Sequence, residues 1–201
     1  MNDIEGVRMI LNNDPDDKNV NLRDSFGRTI LDNLVMNVDP ANRRITVSTI
    51  LFLLEHGTNI ENRDEDGNTP LNLSVKCFPW FEEIIELLLD HDADINTVGQ
   101  NGFTPIMWAA EMGSEIRVGL LLRRGADISI KNNNGFTAEE IALERNWHKI
   151  VAQIQRFRER ERLRTIKKGR AFAMGQMDEK SIVYLLTDLA LELILDNLKK
   201  D

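Results

Sequence analysis

Apolar residues recur along the chain in short clusters with helical spacing. Three clusters are separated by polar stretches that contain glycine: Ile50, Leu51, Leu53 and Leu54, then Ile84, Ile85, Leu87, Leu88 and Leu89, and then Leu120, Leu121 and Leu122. Spacing of this kind places apolar side chains on one face of an α-helix. The pattern therefore predicts helices that pack on one another, with these side chains in the core between them.

A glycine followed two residues later by threonine is the second regularity. It occurs four times, at Gly27, Gly67, Gly102 and Gly135, and a β-branched residue precedes each glycine by seven positions. The intervals between the glycines are 40, 35 and 33 residues. Because a period near 33 residues is typical of stacked helical repeats, the sequence predicts a repeat array with insertions near Pro40 and Pro79.

These residues resemble ankyrin repeats, and the resemblance covers residues 4–155. Thr69-Pro70-Leu71-Asn72 and Thr104-Pro105-Ile106-Met107 stand where that family has Thr-Pro-Leu-His. The segments 88–96 and 121–128 are similar to its Leu-Leu-x-x-Gly-Ala-Asp sequence. The resemblance implies an all-α ankyrin repeat solenoid of about four to five helix-turn-helix units with β-hairpin-like loops, plus extra C-terminal helices. The expected units are 1–23, 24–63, 64–98, 99–131 and 132–155.

The resemblance also implies a non-enzymatic scaffold that binds a protein partner on the concave face of the array. Hairpin tips and the exposed sides of the first helices would form that face. The residues at these positions are Phe26, Arg28, Asp66, Asn68, Asn101, Phe103, Trp108, Met112, Asn134 and Phe136. We expect Phe103, Trp108, Met112 and Phe136 to form one apolar patch. The alternative is that Trp108 and Phe136 pack against neighbouring hairpins.

Charge is distributed unevenly along the chain. Residues 1–155 contain 14 basic and 25 acidic side chains, whereas residues 156–170 contain 8 basic and 2 acidic ones. An acidic body repels the phosphate backbone, so no nucleic-acid partner is expected. The basic segment is predicted to be a solvated helical extension of the array that ends at Gly169, with contact to RNA or to an acidic partner as the alternative.

Side chains that commonly carry chemistry are few. Three histidines and one cysteine, Cys77, leave little for a metal site, and no nucleophile stands beside a base. We therefore expect no cofactor, no metal and no enzymatic activity. The lone cysteine and the five carboxylates among the first 20 residues predict an intracellular protein, cytoplasmic or nuclear, without a membrane span.

Residues 171–201 are predicted to contain an apolar helix. Its leucine-rich segment resembles the first helix of an F-box at Leu186, Ile194, Leu195 and Leu198, with Leu189 where the family has glutamate. That resemblance implies a second docking helix for a ubiquitin-ligase linker subunit, and the alternative is a helix that caps the array. Two functions follow: a binding scaffold, or an adaptor that recruits a ubiquitin ligase to a target bound by the repeats.

Overall fold

The computed structural model describes residues 18–77 and 82–174, and side chains within 20–77 and 82–167. The described residues belong to two compact units, divided between Ile154 and Gln155. Within them the regular secondary structure is helical and contains no β-strand, which confirms the all-α prediction.

In the part of the chain that the structure describes, four pairs of helices follow one another. Their bounds are α1 Ile30–Met36 and α2 Arg43–Glu55, α3 Pro70–Lys76 and α4 Glu82–Asp90, α5 Pro105–Glu111 and α6 Glu115–Arg123, and α7 Ala138–Glu144 and α8 His148–Met174. Short 3-10 helices lie at Lys18–Asn21, Pro40–Asn42 and Gln100–Gly102. The first helices of consecutive pairs, α1, α3, α5 and α7, pack side by side. The array therefore has the stacked arrangement that the repeat predicts.

Eight of the twelve predicted core residues are buried, whereas Leu51, Leu54, Leu87 and Leu89 are half-buried. Ile50, Leu53, Ile84, Ile85 and Leu88 are at most 2% exposed, and Leu120, Leu121 and Leu122 are also buried. A single helical pair has too little apolar surface to bury its own face, so stacking supplies the hydrophobic stabilisation of the array.

Threonine is the N-cap residue of all four first helices, Thr29, Thr69, Thr104 and Thr137. The hydroxyls of Thr29, Thr69 and Thr137 each accept a backbone N–H from the residue three positions later, at 3.4 Å. Such a bond satisfies one of the amide groups that a helix leaves free in its first turn. Pro70 and Pro105 follow their threonines as the first helical residues, where a missing N–H costs nothing.

A tight turn precedes each first helix. Its glycine, Gly27, Gly67, Gly102 or Gly135, has a φ between +72° and +83°, in the left-handed region that favours glycine. Backbone bonds also join turns of consecutive units: the amide of Glu65 donates to the carbonyl of Phe26 at 3.0 Å, and the amide of Asn133 donates to the carbonyl of Asn101 at 3.1 Å. The turns are therefore linked to one another as well as to their helices.

A second ladder of bonds joins the segments that precede the turns. A side-chain oxygen of one unit accepts a backbone amide of the next, in the pairs Asn21 with Asn59, Glu61 with Asp94, and Asn96 with Asp127, at 2.6 to 2.8 Å. Each bond fixes the register between neighbours. Asn21 occupies the ladder position of Glu61 and Asn96, so the same contact is present before α1.

The last helix is longer than the sequence predicts. Glycine at position 169 was expected to end it, but α8 continues to Met174. That prediction is wrong because one glycine costs a helix only about 1 kcal/mol, and the alanines on its C-terminal side favour continuation. The chain turns between α7 and α8 at Asn146, whose φ of +61° is in the left-handed region, without a glycine or a proline.

A buried carboxylate joins α1 to the segment that follows α2. Asp32 is fully buried, and its Oδ2 atom accepts the amide and the hydroxyl of Thr29 at 2.7 and 2.8 Å and the side-chain amide of Asn62 at 2.6 Å. Burial raises the pKa of Asp32, repulsion from Asp64 adds to this, and the bonds from Thr29 and Asn62 oppose it. The folded state therefore binds the proton more tightly than the unfolded chain does.

We expect Asp32→Asn to stabilise the protein at neutral pH, by about 1 kcal/mol, because removing the buried charge outweighs the loss of one of the three bonds, since an amide oxygen has two lone pairs. As the pH rises, the Asp32 carboxyl loses its proton in the unfolded chain at about pH 4, before it does so in the folded protein. Between these two pKa values, the contribution of Asp32 to the free energy of unfolding falls. Above the raised folded pKa, this contribution is constant. The advantage of the variant should grow over that window in urea denaturation at several pH values. Asp66→Asn on an exposed turn is the matched control, and an advantage for Asp32→Asn that does not change with pH would contradict the assignment.

Candidate protein-binding surface

The tips of the four turns present exposed side chains. Phe26 is 55% exposed, and Asp66, Asn101 and Asn134 are also exposed at the equivalent positions. Each directly precedes the glycine of its turn, so the register between units sets the spacing of the tips. We call these four residues the turn tips.

Arg28 lies between two consecutive turns. Its guanidinium carbon is 5.2 Å from the centre of the Phe26 ring, and its Nε atom is 3.7 Å from the Oδ2 atom of the buried Asp64. On the other side of the turn, Asp24 accepts the amides of Arg28 and Phe26 at 3.0 and 2.8 Å, and these bonds, led by that of Arg28, lower the pKa of Asp24. Arg28 therefore supports the exposed Phe26 ring as well as lying on the predicted surface.

An aromatic pair lies at the third unit. The rings of Phe103 and Trp108 are 4.5 Å apart between centroids and tilted by 39°. The ammonium of Lys76, on the last residue of α3, is 4.7 Å from the Trp108 ring and donates to Oε1 of Gln100 at 2.7 Å. Phe103, Trp108, Lys76 and Gln100 form what we call the aromatic cluster. It joins α3, α5 and the turn between them.

Lys76 was absent from the residues predicted for the surface. The repeat register could have indicated Lys76, because it is the last residue of α3, just as Glu111 is the last residue of α5. Glu111 in turn pairs with Arg145, which follows α7. The ends of successive first helices therefore carry charged groups that reach the neighbouring unit.

Two predicted surface residues are buried. Asn68 was expected on a turn tip, but its side chain is fully buried and its Oδ1 atom accepts the amide of Gln100 at 3.1 Å, so it positions the next turn. Trp108 is only 7% exposed, which favours the packing alternative for this ring. Phe103, Met112 and Phe136 are half-buried, and a single patch that includes Met112 and Phe136 stays a prediction.

Chemical groups in the described part of the chain do not assemble into a metal site. Within it, no group of three or more histidine, cysteine or acidic side chains is arranged to hold an ion. Burial raises the pKa of the Cys77 thiol, which disfavours the reactive thiolate. None of the helices in residues 18–77 and 82–174 is long and apolar enough to cross a membrane.

The residues predicted for a second docking helix, Leu186, Leu189, Ile194, Leu195 and Leu198, lie outside the described residues. The adaptor alternative depends on them.

Comparison with known proteins shows similarity in the repeat region. An ankyrin repeat model with three copies matches residues 81–155. An ankyrin repeat protein of variola virus is 30% identical over 87 residues, which is 43% of this chain and 15% of the relative. Human ankyrin repeat domain-containing protein 63 is 34% identical over 94 residues, 47% of this chain and 23% of the relative. Human 2-5A-dependent ribonuclease is 42% identical over 69 residues, 34% of this chain and 9% of the relative.

The chain spans less than a quarter of the length of each of these relatives. Two of them are named for their ankyrin repeats and one is named as a ribonuclease. Repeats of this family generally mediate protein–protein interactions through the extended surface that stacking creates. The matched segment contains the helices α4 to α7 and the first part of α8. The chain therefore carries ankyrin repeats over residues 81–155, which confirms the resemblance seen in its sequence.

Proposed function

We propose that this protein is a non-enzymatic scaffold that binds a protein partner through the turn tips and the first helices of its array. The array presents its turns at a fixed register, and the first helices pack side by side next to them. Rigid presentation lowers the entropy that is lost on binding, because few groups need to be ordered in the complex.

The aromatic cluster is the observation that carries this proposal. It brings Phe103, Trp108 and the ammonium of Lys76 together with Gln100, the residue that precedes the turn tip Asn101. Aromatic side chains with a polar surround are the composition of protein-binding hot spots. The half-buried Phe103 ring is held by Trp108, so a partner would meet a surface that is already ordered.

A site-specific photocrosslinker tests the proposed face. We expect a benzoylphenylalanine at Phe26, on a turn tip, to give a discrete covalent adduct with a partner in extract from the source cells. The same group at Ile116, which is 66% exposed on the second helix α6, should give none. Mass spectrometry of the adduct would identify the partner. Equal adducts from both positions, or an adduct from Ile116 alone, would contradict the proposed face.

Phe103→Ala provides a second arm of the same experiment. This substitution removes the most accessible ring of the aromatic cluster, so the adduct formed at Phe26 should weaken by about tenfold, equivalent to 1–2 kcal/mol. Thermal unfolding of the variant separates a loss of contact from a loss of folding. An unchanged adduct in a folded Phe103→Ala variant would remove the aromatic cluster from the binding surface.

A further inference from the structure

The described part of α8 beyond Ile154 carries a stripe of basic side chains. Arg156, Arg160 and Lys167 are exposed and form no ion pair within the described part of the chain. With 3.6 residues per turn, these three side chains and Arg164 fall within an arc of about 80°. We call Arg156, Arg160 and Lys167 the basic stripe. It extends over about 16 Å of helix at 1.5 Å per residue.

The opposite side of the helix differs in its charge pairing. Arg162 lies there and pairs with Glu159 at 3.8 Å, and Arg164, at the margin of the arc, pairs with Glu161 at 2.6 Å. Both acidic residues of the basic segment are therefore engaged by arginines outside the stripe. The stripe keeps its full positive charge as a result.

The chemistry of the stripe favours a phosphate backbone over a protein or a membrane. A protein interface needs an apolar core with a polar rim, and an interfacial helix needs a continuous apolar face. The stripe has neither, because its members are all cationic and its two apolar neighbours, Phe157 and the 48% exposed Leu163, lie on opposite margins of the arc and form no continuous apolar face. Guanidinium groups match phosphate oxygens in geometry, and counterion release gives affinity for a polyanion without apolar contact.

We infer that the basic stripe binds single-stranded RNA through its phosphates. The acidic array, which has 25 acidic and 14 basic side chains over residues 1–155, repels a long rigid polyanion, whereas a flexible single strand can contact the helix alone. RNA is the nucleic acid that regularly presents single-stranded segments to proteins. Phe157 lies next to the arc and is half-buried, so its ring is placed to stack on a base beside the phosphates.

Fluorescence anisotropy with a labelled single-stranded RNA of about 12 nucleotides tests this inference on the full chain. We expect a dissociation constant of roughly 10 µM at about 50 mM salt, and a log–log salt slope near −2, as three phosphate contacts on a single strand predict. Arg156→Glu/Arg160→Glu should weaken binding by at least about tenfold. Arg158→Glu/Arg162→Glu makes the same change of charge on the other side of the helix and should weaken binding by less than about threefold.

Circular dichroism of both variants establishes that α8 is still folded. Equal losses from the two variants would show that only the total charge of the helix matters and would overturn the stripe as a site. No RNA binding by the wild-type protein at low salt would overturn the inference outright. Equal affinity for a polyglutamate peptide, with the same response to the two variants, would overturn it in favour of an acidic protein partner. If DNA or duplex RNA binds more tightly than single-stranded RNA, the choice of ligand is overturned.

Discussion

Replacing Arg117 with alanine is expected to lower the free energy of unfolding by about 3 to 5 kcal/mol, because the substitution leaves a cavity and two carbonyl groups without donors. Arg117 lies on α6 and is completely buried. Its guanidinium donates to the carbonyl of Val75 and, at 3.4 Å, to that of Cys77. Both carbonyls lie at the end of α3, in the preceding unit, where a helix has free acceptors and favours a cation.

Burial lowers the pKa of Arg117, and its Nε atom lies 4.0 Å from a carboxylate oxygen of Glu82, which opposes that effect. The residue therefore replaces the water that would otherwise hydrate the end of α3 and ties two consecutive units together. Arg117→Lys should recover only part of the lost stability, because a single ammonium cannot match the fork of a guanidinium.

Urea denaturation followed by circular dichroism measures this effect. Arg123→Ala is the matched control, since Arg123 is an exposed arginine on the same helix and its loss should cost less than about 0.5 kcal/mol. If the two alanine variants unfold at the same urea concentration, Arg117 does not link the units as described.

Gly102→Ala is expected to be the second most damaging change, with a loss of about 3 kcal/mol. Gly102 has a φ of +78°, and a Cβ atom there would lie 2.6 Å from the backbone nitrogen of Asn133 and 2.5 Å from its Oδ1 atom. That nitrogen donates to the carbonyl of Asn101, so the added methyl group would push apart the bond between two turns.

Gly135→Ala separates the two causes of this loss. Gly135 has a φ of +83°, yet nothing lies within 4 Å of a Cβ atom at that position. Only the backbone strain should appear, at about 1 kcal/mol. The free energies of unfolding of the two variants, measured by thermal and urea unfolding, should therefore differ by about 2 kcal/mol. Equal losses would mean that the close approach of Asn133 is relieved at little cost.

The net charge of the whole chain is a poor guide to the local charge of α8. A net acidic chain argues against a nucleic-acid partner. The structure assigns Glu159 and Glu161 to arginines outside the stripe, which leaves Arg156, Arg160 and Lys167 together on one side. Which charges neutralise one another depends on side-chain geometry, and composition does not contain that geometry.

For the binding surface, the sequence predicts which residues lie on the turns more reliably than it predicts whether their side chains are exposed. The register of Gly27, Gly67, Gly102 and Gly135 places Phe26, Asp66, Asn101 and Asn134 on turn tips, and all four are exposed. The same register places Asn68 on the surface, but the next unit covers it. A neighbouring unit is distant in sequence, so the local pattern cannot show what it buries.

By itself, the sequence determined the repeated unit, its all-α class and the ankyrin repeats over residues 81–155, because each of these follows from local requirements. Glycine is needed for a left-handed turn, threonine begins a helix, and leucines with helical spacing make a buried face. Only the tertiary structure decided that Arg117 joins two units, that Lys76 lies on the ring of Trp108, and that Asp32 is buried with Asn62. These contacts join residues about 30 to 40 positions apart, and their energies depend on desolvation and on distances of a few ångströms that packing alone fixes.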